Sequence, residues 1–170
     1  MTSELKKRIA SDRYRVCPNS DFISIIKTQL THPSLGYLSL YRKAKYYKEK
    51  IGLINRILTI WYSFRLYRCS VKFGYQINRN CTIGYGLYIG HRGSIVVNGQ
   101  AVLGNNINIA NGVTIGATPR GERKGVPVIG NDVWIGANAV IVGNVTVGDD
   151  VLIAPNSFVN FDVPSHSILL

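Results

Sequence analysis

An aliphatic residue recurs every six positions through the second half of this chain, and few architectures accept that period. The series runs Ile77, Ile83, Ile89, Ile95, slips by two residues, and resumes at Leu103, Ile109 and Ile115. After a 14-residue interval it continues as Ile129, Ile135, Ile141, Val147, Ile153 and Val159. Glycine follows the aliphatic residue at 84, 90, 104, 116, 130, 136 and 148. The fifth hexad position is mostly small or β-branched: Cys81, Gly93, Gly99, Val113, Val133, Ala139, Val145, Val151, Ser157 and Val163. A helix needs a period of 3.6, and an antiparallel sandwich needs alternation with turns every 8–12 residues. A sixfold period instead suits short strands joined by tight corners, three hexads closing one triangular coil and stacked coils burying a continuous column. At about 18 residues per coil, residues 73–170 allow roughly five coils.

The preceding segment is chemically different. Residues 1–72 carry 15 Lys and Arg against 4 Asp and Glu, whereas residues 73–170 carry five of each. Fifteen of the 17 glycines lie beyond residue 72. Two regions therefore follow one another, a basic helical region over 1–72 and a repeat domain over 73–170. Helices are expected from Asp21 to Leu30, from Leu35 to Lys50 and from Ile51 onward, with a turn at His32–Gly36. In the last helix Ile51, Ile54, Leu58 and Trp61 advance by three or four, and Asn55, Thr59 and Ser63 form a polar line on another face. The run Tyr41–Lys48 is basic and aromatic; it reads as a solvated face over packed tyrosines, or as a contact for an anionic membrane surface or a phosphate-bearing partner. Charge alone permits nucleic acid, but no nucleic-acid-binding motif accompanies it, so none is expected.

Cys17, Cys69 and Cys81 are too few and odd in number for a disulfide scaffold, which points to a reducing, cytoplasmic setting. No run of 18 uncharged apolar residues exists, and MTSELKKRIASDR lacks the apolar core of a secretion signal. No Cys/His spacing suggests a metal site. His32 and His166 read as structural or exposed, and Cys81 as a packed core residue.

The stretches GYGLYIGHRGSIVVNGQAVLGNNINIANGVTIGATPRG and PVIGNDVWIGANAVIVGNVTVGDDVLIAPNSFV resemble the hexapeptide-repeat acyltransferases, above all serine acetyltransferases and the sugar O-acetyltransferases of polysaccharide pathways. The resemblance implies a mainly β fold, a left-handed parallel β-helix preceded by a small α-helical region. It also implies a homotrimer, acetyl-CoA as donor substrate and no metal. The basic front is suited to hold such an enzyme peripherally at a membrane face.

On this resemblance His91, in the hexad Ile89-Gly90-His91-Arg92-Gly93-Ser94, is the general base that takes the acceptor's hydroxyl proton, a role suited to an imidazole. No Cys or Ser nucleophile is placed to pair with it, so direct transfer is expected. Gly116, Ala117, Gly136, Ala137 and Ala154 fall where the family holds the pantetheine arm, with an amide near Gly116-Ala117 steadying the oxyanion. Trp134 points outward, to wall the thioester channel or fill a subunit contact. The loop Ala117–Pro127 should project from the coil, and its Arg120, Arg123 and Lys124 suit CoA phosphates or an anionic acceptor.

Four positions depart from the serine acetyltransferase pattern. Gln76 stands where that family has an Asp about fifteen residues before the His. Gly125 and Val126 stand where it has Arg-His, and Gly90 replaces the Asp directly before the catalytic His. Missing charge-assisted contacts weaken recognition of an amino-acid carboxylate by about 1.5–3 kcal/mol each. A sugar hydroxyl in capsule, exopolysaccharide or O-antigen assembly is therefore the expected acceptor, contacted by Gln76, Arg92 and Arg120. The alternatives are serine acetylation in cysteine biosynthesis and a non-catalytic hexapeptide scaffold.

Overall fold

The protein is described by a computed structural model covering residues 2–18 and 21–170. It divides into two compact units at Phe73/Gly74.

The second unit is a parallel β-helix of about five turns. Its 14 short strands run from β1 (Tyr75–Ile77) to β14 (Ile168–Leu169) and form three flat faces. One face holds β1, β4 (Ile95–Val97), β7 (Thr114–Gly116), β10 (Val140–Val142) and β13 (Phe158–Val159). The second holds β2 (Thr82–Ile83), β5 (Val102–Leu103), β8 (Val128–Ile129) and β11 (Thr146–Val147). The third holds β3 (Tyr88–Ile89), β6 (Asn108–Ile109), β9 (Trp134–Ile135), β12 (Leu152–Ile153) and β14. All 13 residues of the sixfold series point inward, none more than 5% exposed. Burying each such side chain stabilises the stack by about 1.5–3 kcal/mol. Cys81 is fully buried, as core packing requires, and its Sγ lies 3.2 Å from the Ala101 carbonyl oxygen.

The slip in the repeat lies elsewhere than the spacing suggests. Ile77 pairs with Val97, Ile83 with Leu103 and Ile89 with Ile109. Val97, not Ile95, thus continues the column, and the two extra residues sit in the corner between β3 and β4. Ile95 and Val97 both face inward, and Ala101 rather than Gly99 takes the next inward place.

The first unit contains α1 (Ser3–Tyr14), α2 (Phe22–Thr31), α3 (Pro33–Lys48) and α4 (Leu53–Phe73). Asp21 caps α2, its Oδ2 accepting from the Ser24 amide at 2.8 Å, and that bond holds its carboxyl below the usual range. The expected turn at 32–36 shrinks to His32, because Pro33 supplies the fixed φ of a first helical residue and α3 starts there. Within the basic run Tyr41 and Arg42 are buried, and Arg42 forms a bidentate pair with Asp12 of α1, both bonds 2.9 Å.

The orientation of α4 is the reverse of the amphipathic expectation. It packs on α3 through Leu66, its one buried residue, and through Tyr62, whose ring stacks on Tyr47 at 5.3 Å. The polar line is half-buried from Thr59 to Ser63 and bonds back to carbonyls one turn earlier. Ile54 and Trp61 are exposed. No helix among the described residues is long and apolar enough to cross a membrane.

Candidate functional site

His91 occupies the widened corner between β3 and β4. Two extra residues relative to the coil below push the segment Gly90–Ser94 outward and leave the His91 side chain exposed. The corner is tied down beneath. Tyr75, buried in β1, donates its phenolic hydrogen to the His91 carbonyl oxygen at 3.0 Å. Burial pushes the Tyr75 pKa up, against the opposing pull of nearby Arg92, so it stays a donor through the neutral range. Gly93 turns the corner at φ 141°, and a Cβ there would stand 3.0 Å from Asn111 on the next coil. No side chain among the described residues hydrogen-bonds the His91 imidazole.

A groove runs from His91 down the third face and its corner, because parallel register stacks equivalent positions. Tyr88 is followed on successive coils by Asn108, Trp134 and Leu152. Along the corner, His91 is followed by Asn111, Ala137 and Pro155. The groove encloses about 280 Å³, under the roughly 300–1,000 Å³ of a complete small-molecule site. Trp134 is 40% exposed and forms part of its wall. The Tyr88 ring covers Gly90, where a Cβ would meet it at 3.3 Å. An aspartate in that place would have to displace the phenol.

The other candidates separate into groups. Ala137 lines the groove, and its amide bonds to none of the described residues, leaving a donor for a ligand. The amides of Gly136 and Ala154 are already used between coils, donating to Ile153 and Leu169 at 2.8 Å. A Cβ on Gly136 would stand 2.5 Å from the Pro155 nitrogen, so the coil below is what requires glycine there. Gly116 and Ala117 lie at the end of β7, on a different edge of the prism from His91. Gln76 points outward from β1, away from the groove lining. Arg92 is exposed beside His91, and Arg120 is exposed on the loop after β7.

That loop is a small hairpin closed by mutual backbone bonds between Thr118 and Gly125. Arg123 turns back onto Asp162 of its own β-helix at 2.8 Å. The guanidinium, with the Thr146 amide second, holds the Asp162 carboxyl below its usual range. Of the three loop cations expected to meet a ligand, Arg123 is thus engaged internally.

Sequence reasoning missed Tyr75 and Tyr88. The only available signal for Tyr75 was an aromatic residue two places before the first series position, and it carried no motif.

Comparison with known proteins gives these features a family. Residues 127–160 match the bacterial transferase hexapeptide (six repeats) family. A serine acetyltransferase of Helicobacter pylori is 34% identical over 139 residues, covering 81% of this chain and 77% of the relative. Serine acetyltransferase 2 of Arabidopsis thaliana is 37% identical over 102 residues, and the match covers 60% of this chain and only 32% of that protein. Among solved structures, soybean serine acetyltransferase superposes with a TM-score of 0.77 at 28% identity, covering 98% of this chain and 66% of that one. The Neisseria gonorrhoeae serine acetyltransferase in complex with serine superposes at 0.76 and 29% identity, with 98% and 66% covered.

These relatives overturn the expected sugar hydroxyl and the polysaccharide pathway. That expectation weighed a few missing side chains above the backbone pattern, and the pattern over 139 residues follows serine acetyltransferases. The repeat, the helical front and the extent of the match lead to one assignment: the chain belongs to the serine acetyltransferase family of hexapeptide-repeat acyltransferases.

Proposed function

We propose that this protein transfers an acetyl group from acetyl-CoA to the hydroxyl of serine, with His91 as general base. The observation that carries the reading is His91 standing on a widened corner, at the head of a groove walled by Trp134 and floored by small residues. A slender acyl-pantetheine arm fits such a floor, and the unused Ala137 amide offers it a hydrogen bond. The imidazole accepts the serine hydroxyl proton as that oxygen attacks the thioester carbon. The same proton then passes from the imidazolium to the departing CoA sulfur as the carbon–sulfur bond breaks, so atoms and charge balance.

A groove below the size of a complete pocket fits a site finished by a second copy, which supports the trimer. It would bring the edge bearing Gly116, Ala117 and Arg120 of one copy beside His91 of another. Because Gln76, Gly90, Gly125 and Val126 lack the family's charged groups, serine should bind with a high KM.

The test is release of CoA thiol by the purified protein with serine as acceptor. His91→Ala should lower kcat by about 10²–10⁴-fold. An unaltered rate in that variant, or no serine turnover at saturating donor, would remove the proposal.

A further inference from the structure

The outward face of α4 is apolar over its full length. Leu53, Ile57, Ile60, Phe64, Tyr67 and Val71 are spaced four and three residues apart, which sets them on one line of the helix. All six are 57–74% exposed. Ile54 and Trp61 widen the line into a sector over the first part of the helix, and Arg65, Arg68 and Lys72 take over that flank beyond them. The half-buried polar line of Thr59 and Ser63 sits on the opposite side, toward α3. A helix that turns its hydroxyls inward and its isoleucines outward presents a face suited to an apolar partner.

The charge around that sector is of one sign. No Asp or Glu occurs between Glu49 and Glu122, while α4 carries Arg56, Arg65, Arg68 and Lys72. Two of these cations lie over rings of the apolar sector, Arg65 at 4.9 Å from the Trp61 centroid and Arg68 at 5.9 Å from that of Phe64. At the helix start an open cavity of about 670 Å³ combines Lys48, Lys50 and Arg56 with Ile51, Leu53 and Ile60. Aliphatic floor beside cations is the chemistry that an acyl chain and its phosphate headgroup match. Two such helices facing each other would find no carboxylate to offset their cations.

We propose that α4 lies in the interface of an anionic phospholipid bilayer, its apolar sector among the acyl chains and its arginines at the headgroups. The reading stands apart from the acyl-transfer reaction.

The experiment is flotation of the full chain with vesicles of phosphatidylcholine containing phosphatidylglycerol, against phosphatidylcholine alone. The full chain should float with the anionic vesicles, remain behind with the neutral ones, and be released by high salt. Arg65→Gln with Arg68→Gln should weaken binding about 30-fold, from about 1 kcal/mol per cation. Ile60→Asp with Phe64→Asp should abolish it while helicity by circular dichroism stays unchanged, since neither side chain is buried. Equal binding to both vesicle types, or none to either, would overturn the proposal. So would an Ile60→Asp/Phe64→Asp protein that keeps its vesicle binding but sediments as a smaller oligomer, because that assigns the face to a second copy.

Discussion

Removing one phenolic oxygen tests whether the widened corner must be held rigid for transfer. Tyr75 is buried, and its hydroxyl donates to the backbone oxygen of His91 at 3.0 Å rather than to the ring, so Tyr75→Phe leaves the imidazole chemistry intact. The deletion removes one hydrogen bond worth about 0.5–1.5 kcal/mol and frees a corner that already has two residues more than its neighbour. If about 1 kcal/mol of that ordering is needed to aim the ring, kcat falls about fivefold. KM for acetyl-CoA should hold, because Trp134 and Ala137 are untouched, and the pH dependence of kcat should keep its midpoint. The decisive measurement is the double variant. In a His91→Ala background there is no ring left to aim, so Tyr75→Phe should cost nothing further. A wild-type kcat in Tyr75→Phe, or an equal loss with and without His91, would refute the reasoning.

Three more perturbations follow from the geometry. Asp12→Ala leaves the Arg42 guanidinium buried without its bidentate partner and should destabilise the helical unit by about 3–5 kcal/mol in denaturant melts, whereas Asp12→Leu with Arg42→Met should recover most of that loss. Gly136→Ala drives a methyl group to 2.5 Å from the Pro155 nitrogen and should lower β-helix stability by about 1–3 kcal/mol, read from the unfolding midpoint. The Asp162 carboxyl has its pKa lowered by Arg123, so its stabilising contribution is complete above the ordinary carboxylate range and fades as the pH drops through and beneath it. Loop hydrolysis by an acid-active protease should therefore increase toward a pH of about 3 in the wild type and already be high at that site in Asp162→Asn at neutral pH, measured with a neutral protease.

The β-helix was legible because its information is local and periodic: each hexad repeats the same inward choice, and all thirteen series positions are buried. The misplaced slip shows where periodicity stops helping. Ile95 and Val97 are both aliphatic and both inward, and only pairing of Val97 with Ile77, twenty residues away, decides which belongs to the column. In α4 the spacing correctly groups residues onto faces, yet a period carries no information about which face meets α3. Arg42 belonged by composition to a solvated basic run, and its burial depends on Asp12 thirty residues earlier. At the site, His91 was marked by its hexad position, whereas Tyr75 acts through a main-chain oxygen and leaves no pattern. The acceptor differs from the expectation for another reason: absent side chains are evidence about affinity and not about identity.

The two extra residues at the His91 corner leave the rungs on either side in register, with Ile83 still opposite Leu103 and Ile89 opposite Ile109. The hairpin after β7 does the same on another vertex, since Ile115 still aligns with Ile141 and Leu103 with Ile129. Length can therefore be added at a vertex of this prism without shifting any flat side. Insertions that would scramble an antiparallel sheet become here a means of extending reactive groups beyond the surface, one vertex at a time, with the scaffold beneath unchanged.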